Sequence, residues 1–449
     1  MSSSTLSVDA TTPLLQSVSE AAGRYVNGEA LPKSEPEHAV QKWHNPIINA
    51  WRILAAFFSF IVVGANDAIY GALVPYLCDH YGLDYASVSM VFLFPCLGYV
   101  AAALVSNWIH ARFGQRGVAF LGSGFHVLAY TIAIQHPPYP VLVVLFVLAG
   151  LGSGLLDAAW NAWIGVMEDS SQLMGILHGF YGLGAALAPL TATSLITHRG
   201  WHWYQFYYIM AGGSIIEILA LTTAFWSARG SPVTKELHTD RDAVSWWKAL
   251  RASPTIQSLS YGATWIICLF IFLYAGVEIT FGGWVFTFLV RERVVPPFAA
   301  GIANFVYWAG LTVGRVLLGF VTSYLNIGKY TVLVYVTACI ICHITFWLVK
   351  EFTVSVVAVA LLGFFLGPLF PEAVIAFADL LPKHLHISGI GIAVALGSAG
   401  GCVFPFITGA LAKLVGLQIL QPMVLLLLLL CLSSWVLFLM VSRRQISSC

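Results

Sequence analysis

Long apolar segments recur along almost the whole of this 449-residue chain. A helix needs about 20 mostly apolar residues to cross the hydrocarbon core of a bilayer. Runs of that length follow one another in two sets of six. The first set is 50–77, 86–109, 116–135, 140–166, 172–196 and 203–227, and the second is 259–289, 297–322, 330–348, 353–378, 387–414 and 419–441. We therefore predict an all-α membrane protein with twelve transmembrane helices in two lobes of six helices.

The composition excludes several classes of protein. Only 9% of the residues are charged, against roughly 25% in soluble domains. The net charge of +1 leaves no basic surface for nucleic acid. We expect no nucleic-acid partner and a chain that works as a monomer in the bilayer.

Polar stretches divide the chain. Its first 48 residues are rich in Ser, Glu, Pro and Ala and have no apolar core, which indicates a disordered tail and not a signal peptide. The predicted divisions are a tail at 1–48, a first lobe at 49–227, a linker at 228–256, a second lobe at 257–441 and a tail at 442–449.

Lys and Arg residues orient the chain, because they are enriched in cytoplasmic loops. With a cytoplasmic N-terminus, fifteen of the 21 Lys and Arg residues fall inside and five outside. Both termini, and the linker between the lobes, are then cytoplasmic. We expect the plasma membrane; the alternative is the vacuolar membrane, because Asp9 precedes the pair Leu14-Leu15 at nearly the spacing of a dileucine sorting signal.

The sequence offers little for a metal, a cofactor or enzymatic chemistry. Cys339 and Cys342 form one C-x-x-C inside a predicted membrane helix, with no second pair to complete a zinc site. The chain has no Gly-x-Ser-x-Gly, His-Glu-x-x-His or phosphate-loop motif. We therefore expect no metal site, no cofactor, no enzymatic activity and no direct use of ATP.

The two predicted lobes repeat the same short patterns. Asp67 in the first helix and Glu278 in the seventh are each followed by glycine four residues later. Gly-rich segments that end in Pro189 and Pro405 occupy the fifth and eleventh helices. Repeats of this kind are typical of transporters whose binding site lies between two related halves.

Five acids fall inside predicted membrane helices, at a cost of at least ~2.5–3.5 kcal/mol for each one that is charged at a helix centre. They are Asp67, Asp157, Glu217, Glu278 and Glu372. Arg315 is the one arginine predicted at membrane depth that could balance them. Some of these acids are therefore expected to be protonated for part of a cycle, which is the requirement for carrying a proton.

Two of these acids have polar neighbours on the same helix. Asp67 lies beside Asn66, and Gly71 follows four residues later. Tyr70 lies on the same turn of the predicted helix. We predict that Asp67 couples protons and that Asn66 and Tyr70 contact substrate. The alternative is a buried acid that pairs with a neighbouring helix.

Asp157 and Asn161 are four residues apart and share one helical face. We predict that Asp157 couples protons and that Asn161 and Trp160 contact a polar substrate. Glu278 is the third predicted proton-coupling acid. Three further predicted substrate contacts lie on other helices: His178, Trp284 and Asn304.

Glu372 and Arg315 both fall near the inner ends of their helices. We predict that they form a structural ion pair or a gate. Glu217, His126 and His343 are expected to be ordinary hydrogen-bonded groups, because a lone buried polar residue is more often structural than functional.

The loop between the second and third helices reads Asn107-Trp-Ile-His-Ala-Arg112-Phe-Gly114-Gln-Arg116. It resembles the signature loop of the major facilitator superfamily, Gly-x-x-x-Asp-Arg-x-Gly-Arg-Arg. The resemblance implies the major facilitator fold and a gating or ion-pairing role for Arg112 and Arg116. The family's aspartate is replaced by Ala111, so its charge-relay role does not carry over.

Within that superfamily the chain resembles the fucose permease-like group, in particular a fungal branch. The likeness rests on Asn66-Asp67, on the segment from Gly154 to Asn161, and on the run His178-Gly-x-x-Gly-x-Gly. It implies that acids of the first and fourth helices serve substrate binding and proton coupling. Asp67 and Asp157 occupy those positions by motif.

Three functions stay open at this point. The first is proton-coupled uptake of a sugar or other small polar solute by alternating access. The second is proton antiport that exports a hydrophobic metabolite or drug, because Phe92, Phe94, Phe281 and Phe305 offer an apolar lining. The third is a membrane sensor that does not transport.

Overall fold

The computed structural model describes residues 42–228, 254–325, 328–382 and 385–447. Within these ranges the chain is helical and holds no β-strand. The predicted N-terminal tail as far as residue 41, and residues 229–253 of the predicted linker, lie outside the described residues.

Eleven described helices are long and apolar enough to cross a membrane. One of them is a 49-residue run, Tyr85–Ala133, which would be about 73 Å long if it were straight. The hydrocarbon core is only about 30 Å thick. Gly114 interrupts the run with φ 68° and ψ −168°, a conformation that glycine adopts at little cost. The run therefore makes two spans, which gives the twelve membrane helices that the sequence predicts.

We number the spans α1 to α12. The first lobe contains α1 (Ile48–Tyr81), α2 and α3 (90–113 and 115–133, on either side of Gly114 in Met90–Ala133), α4 (Tyr139–Gly165), α5 (Ser170–Arg199) and α6 (Phe206–Ala224). The second lobe contains α7 (Gly262–Arg291), α8 (Pro297–Leu325), α9 (Thr331–Leu348), α10 (Phe352–Leu366 and Leu369–Ala378), α11 (His386–Val415) and α12 (Leu420–Ser447). Short helical turns lie at Tyr85–Val88, Trp203–Gln205, Pro254–Leu259, Gly328–Tyr330 and Leu417–Ile419. The last helix thus extends beyond residue 441, where the predicted second lobe ends.

The helix pairs of the first lobe are repeated in the second. In the first lobe α1 packs on α5, α2 on α4, and α3 on α6. In the second lobe α7 packs on α11, α8 on α10, and α9 on α12. The lobes contact each other through α1 with α7, α5 with α8, and α2 with α11. The repeated sequence patterns therefore correspond to a repeated packing arrangement.

The backbones of the two lobes come close together where α1 crosses α7. A Cβ atom placed on Gly71 would lie 2.7 Å from the Cα atom of Gly283, so this crossing requires glycine. Trp284 lies on the next position of α7 and is tilted against the ring of Phe92 from α2, with centroids 5.8 Å apart. The lobes are therefore in direct backbone contact in the second half of α1.

Two ion pairs join the lobes beyond that crossing. Arg291 at the end of α7 pairs with Asp79 near the end of α1. Lys413 near the end of α11 lies 2.9 Å from Asp84, which caps the short helix Tyr85–Val88. We call these four side chains the interlobe latch. They line a cavity of about 480 Å³ that also includes Cys78.

Candidate functional site

Asp67, midway along α1, is held by three neutral hydrogen-bond donors. The hydroxyls of Tyr99 and Tyr181 donate to its Oδ2 at 3.0 and 3.1 Å, and the Asn66 amide donates to its Oδ1 at 3.1 Å. The side chain is partly buried and has no ion-pair partner among the residues that the structure describes. A tyrosine hydroxyl can donate to a carboxylate or accept from a carboxylic acid. The surroundings of Asp67 therefore suit both of its protonation states.

Asn66 belongs to a second layer behind Asp67. Its Oδ1 accepts hydrogen bonds from the hydroxyls of Tyr70 and Tyr130, each at 3.0 Å. All three side chains are buried. The structure therefore places Asn66 and Tyr70, which the sequence predicts to touch substrate, inside the first lobe, where they fix the amide that supports Asp67.

Asp157 and Asn161 lie together on α4, as their spacing predicts. The Asn161 amide donates to Asp157 Oδ1 at 3.0 Å and to its carbonyl oxygen at 2.9 Å. Both side chains are partly exposed, and Asp157 interacts electrostatically with Asp67 and Tyr99. The two acids of the first lobe therefore face one region.

The second lobe holds its acid differently. Glu278 Oε1 lies 3.6 Å from a guanidinium nitrogen of Arg315, and the two side chains are 13% and 25% exposed. Arg315 also donates to the Tyr274 hydroxyl at 3.1 Å. The Tyr307 hydroxyl donates to the Glu278 carbonyl oxygen at 2.9 Å. Glu278 is thus a membrane acid with an arginine as its partner.

The expected pairing of Arg315 with Glu372 is not what the structure shows. Pro371 has no N–H group, so the carbonyl four residues earlier, that of Gly367, lacks its helical donor. Arg315 Nε donates to that carbonyl at 3.2 Å. Glu372 is buried in the second segment of α10 and has Thr322 as its hydrogen-bond partner. The bare carbonyl and Glu278 together fix Arg315 away from Glu372.

Tyr181 of α5 links the acids of the two lobes. Tyr181, which bonds Asp67, also interacts electrostatically with Glu278 and with Arg315. His178 lies one turn earlier on α5, is partly buried, and interacts electrostatically with Arg315. His178 is thus placed near Arg315 of the other lobe, and its predicted contact with substrate stays a prediction.

The two tryptophans that the sequence predicts to contact substrate are instead packed inside the protein. Trp160 is fully buried and stacks on Phe225, with ring centroids 4.4 Å apart. Trp284 is fully buried and donates to the Pro405 carbonyl at 2.9 Å. We therefore revise both roles: Trp160 stabilises the first lobe, and Trp284 packs where the lobes are closed together.

Asn304 on α8 is fully buried, and neither atom of its amide has a hydrogen-bond partner in the described part of the chain. It shares a helical face with Trp308 and Arg315, four and eleven residues further on. An unpaired buried amide costs about 1–3 kcal/mol. Its predicted contact with a polar substrate stays a prediction.

The arginines of the signature loop contact their own lobe. The Arg116 guanidinium lies 3.6 Å from the ring centroid of Trp226, just after α6. Arg112 lies beside Phe113, its neighbour in sequence. Neither arginine has a carboxylate partner among the described residues, so the predicted ion pairing of this loop is absent there. Ala111, which stands in place of the loop's usual acid, removes the nearest candidate partner.

Sequence reasoning missed the tyrosines that complete the site, Tyr99, Tyr181 and Tyr274. It also assigned no function to His126 and Glu217, which pair inside the first lobe at 2.9 Å. A tyrosine in an apolar helix carries no signal until its partner helix is known. The sequence contained a weak indication of the His126–Glu217 pair, because a histidine and an acid at matching depth in the membrane can neutralise each other.

Comparison with known proteins places this geometry in context. Residues 56–350 match the family model described as Major Facilitator Superfamily. Bypass of stop codon protein 6 of Saccharomyces cerevisiae is 33% identical over 82% of this chain and 78% of its own length. The glucose/mannose transporter GlcP of Bacillus subtilis is 23% identical over 79% of this chain and 86% of its own length.

Among solved structures, that of the nucleoside transporter NupG superposes with a TM-score of 0.63 at 14% identity, covering 88% of this chain and 98% of its own. This likeness concerns the fold alone. The family match, the yeast relative and the twelve helices in two packed lobes agree with one another. The chain belongs to the major facilitator superfamily.

Proposed function

We propose that this protein carries a sugar or other small polar solute across the membrane together with a proton. The two lobes alternate between openings on either side of a site that lies between them. Asp67 and Asp157 belong to the first lobe and Glu278 and Arg315 to the second. Solute and proton are coupled because both bias the same conformational equilibrium.

The observation that carries the proposal is the environment of Asp67. Its carboxylate is partly buried among neutral donors and has no cation within ion-pairing distance in the described ranges. A charge at membrane depth is expensive unless it is paired or neutralised. A proton is the smallest group that neutralises it, and the tyrosine hydroxyls accept either state. Asp67 therefore suits a cycle in which it gains and loses a proton.

The chemistry of the region favours a hydroxyl-rich solute. Asp157, Asn161 and His178 offer acceptors and donors on partly exposed side chains, and Asn304 adds an unpaired amide. Relatives at low identity are named as glucose/mannose and glucose/galactose transporters. These names support a sugar as the first class of solute to test.

Half of the apolar lining on which an exporter would depend is buried in packing contacts. Phe281 is fully buried against Tyr307 and Phe346 within the second lobe. Phe92 is 6% exposed and packs on Trp284. Two of the four phenylalanines that suggested a hydrophobic solute therefore serve packing, and we do not propose export.

We also propose that both termini face the cytoplasm and that the protein acts as a monomer in the plasma membrane. For Glu278, which the sequence predicts to couple protons, we propose instead that it serves as the paired acid of the second lobe, because Arg315 lies beside it. With this orientation α1 and α7 end on the outer side. The Gly71–Gly283 crossing and the interlobe latch then close the outer face. The described arrangement corresponds to a state in which the outer side is shut.

The test uses purified protein in sealed vesicles that contain a pH-sensitive dye. Hexoses, polyols and apolar metabolites are added outside one at a time. We expect the vesicle interior to acidify when a hexose or related polyol is added, because solute and proton enter together. Alkalisation on addition of a solute would instead indicate antiport. No pH change with any solute, from protein that remains folded, would contradict the proposed coupling.

A further inference from the structure

A second polar centre lies inside the first lobe, behind the site that faces the other lobe. His126 of α3 and Glu217 of α6 are both fully buried, with Nδ1 of the histidine 2.9 Å from Oε2 of the glutamate. The Ser59 hydroxyl donates to the other glutamate oxygen, Oε1, at 2.7 Å. His126 Nε2 lies 3.1 Å from the Ser153 hydroxyl on α4. Every ionisable atom of this pair therefore has a hydrogen-bond partner.

This arrangement can hold His126 as a cation. An imidazolium has two N–H donors, and here the Glu217 carboxylate and the Ser153 hydroxyl are placed to accept them. A serine hydroxyl can also turn and donate to a neutral imidazole. A buried charge is tolerated when it is paired and hydrogen-bonded. The pair is then neutral as a whole and positive at the histidine.

The second lobe contains a matched histidine that lacks these partners. His343 is fully buried on α9, the counterpart of α3. Its Nε2 lies 2.9 Å from the Gln421 carbonyl oxygen, which can only accept a hydrogen bond. Its Nδ1 has no partner in the part of the chain that the structure describes. Protonation would bury an unsatisfied donor, so this site favours a neutral histidine.

His126 is connected to Asp67, the proposed coupling acid. It interacts electrostatically with Asp67, and its ring stacks on Tyr130, whose hydroxyl bonds Asn66 beside Asp67. The titratable groups around the pair are Asp67 and Tyr70 of α1, Tyr130 of α3, Asp157 on α4 one turn from Ser153, and Glu217 and Tyr207 of α6. His126 is the basic side chain of this set.

We propose that His126, held as a cation by Glu217 and Ser153, tunes the release of the proton from Asp67. This rests on the proposed function, in which Asp67 carries the coupling proton. A nearby positive charge stabilises the ionised carboxylate. His126 is a positioning residue that sets the pH range of coupling without touching the solute.

The test follows the carboxylic-acid infrared band of Asp67 during pH titration of the protein in lipid nanodiscs. The band is identified by its loss in Asp67→Asn. The variant His126→Gln with Glu217→Gln removes both charges and keeps amide groups that can hydrogen-bond. We expect the midpoint of the band to move to higher pH by about one unit. His343→Gln, the matched control, should leave the midpoint unchanged.

Glu217→Gln alone serves as the second variant if the double variant is not monodisperse, and its midpoint should move in the same direction. An unchanged or lowered midpoint in whichever variant folds would overturn the tuning role. The infrared titration needs no transport. The two proposals can therefore fail separately. If the midpoint shifts in the variant but the wild-type protein shows no solute-dependent proton movement in vesicles, the coupling proposal is overturned and the tuning role stands.

Discussion

The first lobe surrounds Asp67 with hydroxyl and amide donors, whereas the second lobe sets Glu278 against the guanidinium of Arg315. Both acids occupy matching places in their lobes, on α1 and α7, and both are followed by glycine four residues later. The sequences of the two segments are alike, but the partners supplied by neighbouring helices differ. Those partners determine what each acid can do.

Under the proposed mechanism, this difference separates Asp67, the acid that exchanges a proton, from Glu278, the acid that is paired with a cation. Neutral donors stabilise a carboxylate without opposing its protonation strongly, because hydroxyls can reverse their hydrogen bonds. A fixed cation opposes protonation, since neutralising the acid would leave the arginine unpaired. The comparison predicts that proton movement depends on the first lobe and that structural integrity depends more on the charge pair of the second.

The largest expected effect is that of Asp67→Asn. Asparagine keeps an oxygen for the hydroxyls of Tyr99 and Tyr181 and cannot ionise. A gradient of about one pH unit is worth about 1.4 kcal/mol, or a roughly tenfold accumulation of solute per proton. We expect the accumulation ratio of the variant to fall to about one, while exchange of labelled for unlabelled solute continues. Uptake in vesicles with an imposed pH gradient measures both quantities.

Glu278→Gln is the matched variant in the second lobe. It should retain accumulation, even if its rate is lower, because the coupling acid is intact. If Glu278→Gln abolishes accumulation and Asp67→Asn preserves it, the assignment of the two lobes is reversed.

The next effect concerns stability. Arg315→Gln would leave Glu278 without its cation, and breaking a buried pair costs about 3–5 kcal/mol. We expect a value near the low end, because both side chains retain some exposure. The variant should therefore unfold at a lower temperature, as followed by tryptophan fluorescence in detergent. Adding Glu278→Gln to it should restore part of the loss, because the hydrogen bonds of Arg315 to the Gly367 carbonyl and the Tyr274 hydroxyl stay broken. A double variant as unstable as the single one would contradict the pairing.

The helices could be predicted closely because the bilayer imposes a length and an apolar composition on each span. The predicted run 140–166 corresponds to Tyr139–Gly165, and 330–348 to Thr331–Leu348. The sequence did not reveal that α2 and α3 form one nearly continuous run. That feature depends on the backbone at Gly114, where a single positive φ turns the chain.

The candidate site was only partly predictable. Asp67 could be identified because an acid at membrane depth is rare, and Asp157 with Asn161 because a spacing of four residues places two groups on one face. The partner of Arg315 could not be predicted, because position along a helix gives the depth of a residue but not the direction of its side chain. The carbonyl freed by Pro371 decides that direction. Trp160 failed as a predicted substrate contact for the same reason, because its face of α4 turns towards α6.

The smallest expected effect tests the latch that joins the lobes. Asp84 pairs with Lys413 at 2.9 Å, and both side chains are about half exposed. The Lys413 ammonium, with help from the Ser87 N–H, lowers the pKa of Asp84 to about 2. A lowered pKa means that the pair persists above that value and is lost as the pH falls through it. An external pH between about 4 and 7 should therefore leave the Asp84–Lys413 pair intact.

Lys413→Gln should loosen the outer face without opening it fully, since exposed ion pairs contribute little. Cys78 lines the adjacent cavity, so its labelling by a membrane-impermeant maleimide reports the opening. We expect labelling to rise roughly two- to fivefold, with Cys78→Ala defining the background. Lys42→Gln is the matched control, because Lys42, just before α1, forms an equally short and similarly exposed pair with Glu168 of the first lobe. Equal labelling in the two variants would mean that the Asp84–Lys413 pair does not hold the lobes together.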